Sequence, residues 1–483
     1  YRFKDPEDST TRETLDFCKF VYRKYNYSKP EIAVQAEMEN DFTLLLESDD
    51  KYGRYAWEVL SNSLCYAADL VPEVNESLVA IDDAMKLGYN WIQGPFEMID
   101  SIGVNNFIER LEKENRSIPK ILHVARNKSF YRIENNKLQY LLATGKYENL
   151  KREEGTRRFS EERRTKKPLF SNKVASYFEI NDDIGMVEFH SKANALDGES
   201  MKLLSDAIDH SEINHRGMVI HNDASHFSCG VNLERISDFI EVHDWDGLDA
   251  FLEHFQKTVK KMKYSRIPVV SAPSGLSIGG GFEVVLHTDA SIYHANSVTG
   301  LVESLVGVVP GGGGVKEILY RWFDIKSNET EAAWKTFMNI GYGKTAQSPL
   351  QGQELAMFIE GRDEFVMNRD RLLDAAIIKV DHLKNNYSPS YRGDLSMPGR
   401  DVWEKMKEWL MDAHKKGFLT PHDVTTGTQI AMIVTGGDID EGTIMNEDDI
   451  FGLERKAFLS LAKTKETKQR IKHMLAYGKP LRN

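Results

Sequence analysis

Two glycine clusters, at positions 279–281 and 311–314, constrain this chain more than any other feature. The first stands directly before the helical run Phe282-Glu-Val-Val-Leu-His. Glycine there lets backbone approach a neighbour closely and exposes the unpaired N–H groups of a helix start. Such an end favours negative charge, although close packing of backbone is an equally ordinary reason for a glycine turn. The second cluster follows Pro310 in Leu301-Val-Glu-Ser-Leu-Val-Gly-Val-Val-Pro, so Glu303 lies in an otherwise apolar run. If that run is buried, desolvation raises the carboxyl pKa and suits Glu303 to exchange protons near neutrality. The alternative is an acid that points outward from a short extended segment, which is where isolated acids mostly sit. Glu283 has two readings as well, a proton-handling group or an acid that only complements the helix dipole.

The chain has 483 residues, and at roughly 150 residues per domain it should hold about three domains. It is 41% hydrophobic and 28% charged, and no run approaches the ~18 consecutive apolar residues that would span a bilayer, so no membrane segment is expected. Cys18, Cys65 and Cys229 are scattered and odd in number, which supports neither a disulfide framework nor a CxxC metal site. A reducing compartment, the cytoplasm, is the expected location. The net charge of -12 argues against a general nucleic-acid binder. With no initiating Met and no signal- or transit-like pattern in YRFKDPEDSTTRE, the chain is expected to be a piece of a longer protein.

From Leu15 to about Asn115 the apolar residues recur mostly at spacings of three and four, through Leu15, Phe17, Phe20 and Val21, then Trp57, Leu60, Leu64, Ala67 and Ala68. This predicts helices and no convincing strand. Gly94 and Pro95 mark a helix start. Phe130-Tyr-Arg-Ile and Leu138-Gln-Tyr-Leu, separated by Glu-Asn-Asn-Lys, predict a hairpin. Residues 151–167 are dense in Arg, Lys and Glu without an apolar period and predict a solvated connector. After it, strand and helix patterns alternate, which is α/β patterning. The tail from Asp401 is helical again, with Trp403, Met406, Leu410 and Ala413 on one face and Gly478 then Pro480 closing the last helix.

The loop His221-Asn-Asp-Ala-Ser-His-Phe-Ser-Cys-Gly-Val-Asn-Leu233 follows a predicted strand with small residues whose N–H groups are free to donate. Cys229 lacks the His and acid pattern of a thiol enzyme, and His226 reads as a loop residue. No His, Cys or carboxylate spacing resembles a metal site.

Taken in order, Phe227-Ser-Cys-Gly-Val-Asn-Leu, Gly275-Leu-Ser-Ile-Gly-Gly-Gly-Phe-Glu and Gly300-Leu-Val-Glu-Ser-Leu-Val-Gly-Val-Val-Pro-Gly-Gly-Gly-Gly resemble the crotonase superfamily. Lys192-Ala-Asn-Ala-Leu extends the resemblance over about Ser171 to Tyr387, and the interval of 303 - 283 = 20 between the carboxylates is that of its hydratase branch. The resemblance implies a spiral of ββα turns in which the N–H groups of Val231 and Gly280 hold a thioester oxygen. It implies that Glu283 activates the water attacking C3 and that Glu303 delivers the proton to C2. Donors aimed at the enolate can supply on the order of 3 kcal/mol each in a dry site. Gly230, Gly279, Gly281 and Gly311 are the expected substrate-binding glycines. Lys192 and Ala193 are expected near the CoA, and a solvated surface role for Lys192 is equally open. Val231 and Asn232 stand where Ala and Asp are usual in the family. The implied activity is hydration of trans-2-enoyl-CoA to 3-hydroxyacyl-CoA in fatty acid β-oxidation, needing no cofactor beyond the CoA thioester substrate. Enoyl-CoA isomerisation and a non-catalytic CoA-thioester scaffold are the alternatives.

Asp69-Leu-Val-Pro-Glu-Val, Ile81-Asp-Asp-Ala-Met-Lys-Leu-Gly-Tyr-Asn-Trp and Gly94-Pro-Phe-Glu-Met-Ile-Asp resemble the helical C-terminal domain of 3-hydroxyacyl-CoA dehydrogenases. The order implied is a bacterial bifunctional protein with dehydrogenase before hydratase. The expected layout is an all-α dehydrogenase-type domain over 1–128, a hairpin and charged linker over 129–170, an α/β crotonase-like domain over 171–387 and a helical extension over 388–483. Yet the first glycine is Gly53 and the first histidine His123, so no GxGxxG turn and no catalytic His serve an NAD-dependent dehydrogenase here. An NAD-binding domain before Tyr1, or a degraded copy, is expected instead. The expected partners are an acyl-CoA and further copies of the chain, through crotonase or helical-domain contacts.

Overall fold

A computed structural model describes residues 2–5, 8–25, 28–39, 41–389 and 391–483. The chain divides into two compact units, Tyr1–Lys151 and Arg152–Asn483.

The first unit opens with strands. Arg2–Asp5, Asp8–Asp16 and Val21–Lys24 form an antiparallel sheet in which Leu15 pairs with Tyr22 and Asp16 with Val21. This corrects the expectation of an all-α region and of a helix through Leu15, Phe17, Phe20 and Val21. Phe17 and Phe20 are 78% and 77% exposed, because they sit in the turn between the paired strands. A tight turn also brings apolar residues round at spacings of three and four. Asp16 sets it by accepting from the N–H groups of Cys18 and Lys19.

Helices follow. Lys51–Asp69 buries Trp57, Leu64, Ala67 and Ala68 on one face, and Asp50 caps it by accepting from the N–H groups of Tyr52 and Gly53 at 2.8 and 2.7 Å. Pro95–Ile102 starts where Gly94 and Pro95 predict, with Glu97 accepting from the Gly94 N–H at 2.8 Å. Its Phe96 and Ile99 share a core with Phe107, Ile108 and Phe130. Tyr131–Glu134 and Lys137–Leu141 pair as the predicted hairpin, and Tyr147–Asn149 adds a third strand.

The second unit has the alternating α/β order. Its main sheet runs Glu364–Val366, Ala290–His294, Val269–Ser271, Gly217–Ile220, Ile184–Phe189, Ala175–Asn181, Phe170–Ser171. The first five strands are parallel and the last two antiparallel. Alternate residues face opposite sides, so Met218 and Ile220 join one core while Val219 joins the other. Helices Gly198–Asn214 and Trp245–Lys263 cover the first face, and Leu372–Leu383 covers the second.

A smaller sheet, Leu276–Ile278, Val298–Gly300 and Thr345–Ala346, is extended by single bridges from Ser277 to Ser228 and from Val231 to Leu196. It lines up the three glycine-containing segments side by side.

The charged stretch over 151–167 is not a free connector. Phe159, on the short helix Phe159–Glu162, is fully buried edge-on against Phe178 at 4.8 Å, and Arg158 pairs with Asp370 at 2.6 Å. One aromatic among the charges is enough to pin the segment to the sheet. The C-terminal helices Gly399–Lys415, Pro421–Thr435, Glu447–Ala462 and Lys465–Tyr477 pack into the core of Met218 and Ile220 through Met406, Leu410, Ile430, Phe451, Phe458 and Ile471. Gly478 ends the last of them in a left-handed conformation, as expected.

Candidate active site

The strand Leu276–Ile278 turns at Gly279, whose φ of 54° and ψ of -134° glycine alone adopts readily, into the helix Gly280–Leu286. This turn aims Glu283 inward. Glu283 is 2% exposed, and its Oε1 accepts from the N–H groups of Gly312 and Gly314, each at 2.8 Å. Glycine is required at these two positions. A Cβ at Gly312 would lie 2.5 Å from the Phe255 ring and 2.7 Å from Glu283 Oε2, and one at Gly314 would lie 2.9 Å from Glu283 Oε1. Burial pushes the Glu283 carboxyl up to about 7, against the pull of the two N–H donors.

Glu303 opens the 3-10 turn Glu303–Val306. Both of its carboxylate oxygens are buried without a hydrogen-bond partner among the described residues. Burial first, and the charge of Glu283 second, hold its carboxyl well above the usual range. Of the two readings of Glu303, the desolvated one holds. A Cβ on Gly279 would sit 3.3 Å from Glu303 Oε1, so this glycine leaves the carboxylate its space.

Gly230 has a φ of 95°, and its position is 3.5 Å from the Gly280 nitrogen, measured from where a Cβ would stand. The matching distance from Gly280 to the Val231 nitrogen is 3.4 Å. The two N–H groups therefore lie next to each other, and among the described residues neither donates a backbone hydrogen bond. Val231, Gly230, Gly279, Gly280, Glu283, Glu303 and Gly311 all line one cavity of about 250 Å³. The rest of its wall is apolar, including Phe251, Leu252 and Phe255 from the helix Trp245–Lys263 and Phe458, Ile471 and Met474 from the two last helices.

Three expected site residues lie elsewhere. Gly281 does not line the cavity; its Cα packs on Ser228, where a Cβ would meet the Ser228 side chain at 2.5 Å. Lys192 and Ala193 are exposed on the turn Lys192–Asn194. That turn is joined to the cavity wall by the Cys229 N–H donating to the Ala193 carbonyl at 3.1 Å.

Sequence reasoning missed Glu454. On the helix Glu447–Ala462 it is fully buried, with Oε2 accepting from the Gly313 N–H and Oε1 from the Lys316 N–H, both at 2.7 Å. Burial and the charge of Glu283 push its carboxyl up. Its signal was present in the sequence. Ile450, Phe451, Glu454, Ala457, Phe458 and Leu461 form one helical stripe, and Glu454 is the acid within it. Among the described residues no group of three or more His, Cys, Asp or Glu could hold a metal ion, and no helix is long and apolar enough to cross a membrane.

An apolar cavity with two unengaged N–H donors and two carboxyls that burial holds above their ordinary range can hold a developing oxyanion while protons move beside it. Residues 179–326 match the enoyl-CoA hydratase/isomerase family. The C-terminal half thus carries a crotonase-type domain. The chain is 33% identical over 443 residues to a Bacillus subtilis (strain 168) protein named "Probable 3-hydroxyacyl-CoA dehydrogenase", covering 91% of this chain and 56% of that one. It is 26% identical over 440 residues to a Rickettsia felis protein named "Putative fatty acid oxidation complex trifunctional enzyme", covering 90% and 54%. An enoyl-CoA hydratase crystal structure from Bacillus halodurans is 17% identical, with a TM-score of 0.43 over 61% of this chain and 97% of that one. The chain spans just over half the length of these curated relatives.

Proposed function

We propose that the second unit hydrates trans-2-enoyl-CoA to 3-hydroxyacyl-CoA in fatty acid β-oxidation. The observation that carries this is the shared cavity of Glu283, Glu303 and the N–H groups of Val231 and Gly280. Adding water to the conjugated thioester places negative charge on the carbonyl oxygen, where the two N–H groups would receive it. Glu283, fixed through Oε1, leaves Oε2 to orient water and take its proton as C3 is attacked. Glu303, whose carboxyl burial and the charge of Glu283 hold well above the usual range, would deliver the proton to C2. Anchoring of the first carboxylate favours hydration over isomerisation, which needs only one mobile acid. Exposed Lys192, on the turn beside Cys229, would meet the CoA phosphates outside the cavity.

The names of the relatives support a protein whose whole length also oxidises the hydroxyacyl product, a step for which we propose NAD as the acceptor. The first glycine of the first unit does not fit the phosphate turn of that dinucleotide. Gly53 lies inside the helix Lys51–Asp69, where a Cβ would meet the Ser48 carbonyl oxygen at 2.1 Å, so it serves packing and no phosphate turn.

The test is loss of the conjugated enoyl absorbance with trans-2-enoyl-CoA of short and medium chain, beside Glu283→Gln and Glu303→Gln. Turnover by the wild type that collapses in both variants is expected. Binding of the thioester without turnover at any length would leave a scaffold as the better account.

A further inference from the structure

We propose that Thr467 and Arg470, on the last helix Lys465–Tyr477, are positioning residues of this site: they hold the turn that carries Glu303 by its backbone carbonyls and so fix where its carboxyl stands in the cavity. The inference rests on the hydratase reading. Both residues lie outside the 179–326 family match.

The two site carboxylates are held in different ways. Glu283 is fixed at its carboxyl end, where Oε1 accepts from the N–H groups of Gly312 and Gly314 at 2.8 Å. Glu303 has no such hold, since neither of its oxygens has a hydrogen-bond partner among the described residues. Its place is therefore set from the backbone end, by what fixes the turn Glu303–Val306. Side-chain bonds tie that turn to other elements. The Arg470 Nη1 donates to the Ser304 carbonyl at 3.3 Å, the Thr467 hydroxyl to the Gly307 carbonyl at 2.7 Å, and the Ser304 hydroxyl to the Ile340 carbonyl at 2.9 Å. Within the turn, the Gly307 N–H donates to the Ser304 carbonyl at 3.1 Å and the Val308 N–H to the Glu303 carbonyl at 3.2 Å. The last helix thus takes hold at Ser304 and at Gly307, the first directly after Glu303.

Both donors are themselves locked. A carbonyl can only accept, so the bond to Gly307 takes the one hydroxyl proton of Thr467, and the His422 Nε2, 2.9 Å away, must donate to the Thr467 oxygen. Arg470 is buried, and its Nη2 donates to Asp423 Oδ1 at 2.8 Å and to Thr420 Oγ1 at 3.1 Å, while Nε donates to Asn483 Oδ1 at 2.8 Å. With its charge matched by Asp423, the guanidinium fork still directs Nη1 to the turn. Gly307 makes the approach possible: its φ is 82°, and a Cβ there would lie 2.8 Å from His422 Nε2 and 3.0 Å from Thr467 Oγ1. The turn lines the cavity through Leu305 and Val306 and the last helix through Ile471 and Met474, so the helix that walls the cavity also sets the acid inside it.

The experiment compares wild type, T467V and T467S in the hydration of trans-2-enoyl-CoA in D2O. Hydration puts the water oxygen on C3 and a deuteron on C2, and NMR of the product reads which face of C2 received it. In T467V, kcat is expected to fall on the order of 10- to 100-fold with KM little changed, and deuterium to appear on both faces of C2. T467S keeps the hydroxyl and is expected to restore both. Turnover equal to wild type, a loss carried by KM, deuterium confined to one face, or a T467S no better than T467V would overturn the proposal. If T467V does not fold, R470K takes its place, with one ammonium where the fork reaches Ser304 and Asp423 from separate nitrogens. The hold on the turn is read without substrate, by amide hydrogen exchange over residues 303–308. Faster exchange than wild type in T467V and recovery in T467S are expected, and unchanged rates overturn the proposal. Absence of hydration by the wild type would sink the hydratase reading, while the exchange rates still judge the hold.

Discussion

Replacing Glu283 with Gln should make the folded protein more stable and the catalyst far worse. Only Oε1 takes the N–H groups of Gly312 and Gly314, so a Gln carbonyl oxygen can keep both bonds while its amide occupies the Oε2 position. What is lost is the charge. Burial moves the carboxyl from 4.5 to about 7, so the ionised folded protein carries a penalty of about 3 kcal/mol at roughly 1.4 kcal/mol per pH unit. The sign follows from linkage. A carboxyl whose folded pKa is raised contributes stability that is present below 4.5 and is lost as pH rises to about 7. Wild-type stability should therefore fall through that window relative to Glu283→Gln. At about pH 8 the variant should gain up to about 3 kcal/mol over its difference at pH 4.5, on the order of 4 °C in Tm for a unit of this size. Urea unfolding of both proteins across pH measures the gain, and the enoyl-CoA assay should show a loss of roughly 10²- to 10⁴-fold in kcat. A stability difference that does not vary with pH would mean that this carboxyl is not desolvated, and the reasoning about its proton would fail.

Gly312→Ala should cost about 1–3 kcal/mol and most of the activity, because the new Cβ meets the Phe255 ring at 2.5 Å and Glu283 Oε2 at 2.7 Å; unchanged unfolding midpoints would contradict this packing. Phe458→Leu should enlarge the cavity at the C-terminal wall and move the kcat/KM optimum toward longer acyl chains, read by comparing enoyl-CoA substrates across lengths. Lys316→Met should destabilise by about 3–5 kcal/mol in denaturant titrations, because it leaves buried Glu317 and Glu447 without the ammonium they share. Gly230→Ala should lower activity more than stability, since its φ of 95° sets the Val231 N–H beside that of Gly280; equal losses in both assays would argue against that role.

The parts of the site that the sequence displayed are those in which function and local conformation share the same residues. Glycines 279–281 and 311–314 announced close backbone contacts, and Glu283 and Glu303 stood beside them, each with a second, ordinary reading that the residues alone left open. The two errors in the fold came from reading spacing as helix at Leu15 to Val21, where cross-strand pairing decides, and charge as solvent exposure at 151–167, where Phe159 anchors the chain. Gly281 was grouped with its neighbours by motif, but its contact is with Ser228 across the smaller sheet.

By itself, the sequence determined the alternating α/β order, the helix start at Pro95, and the hairpin at Tyr131–Glu134 and Lys137–Leu141. Each of these is written in neighbouring residues, where turn chemistry, apolar period and glycine freedom act over a few positions. Only the tertiary structure decided that Oε1 of Glu283 is held by Gly312 and Gly314, that the Glu303 carboxylate is buried with no hydrogen-bond partner among the described residues, and that Glu454 accepts from the same turn. It also decided that the last two helices wall the cavity with Phe458, Ile471 and Met474. Desolvation and hydrogen bonding depend on which distant segments close over a group, and no local pattern carries that information.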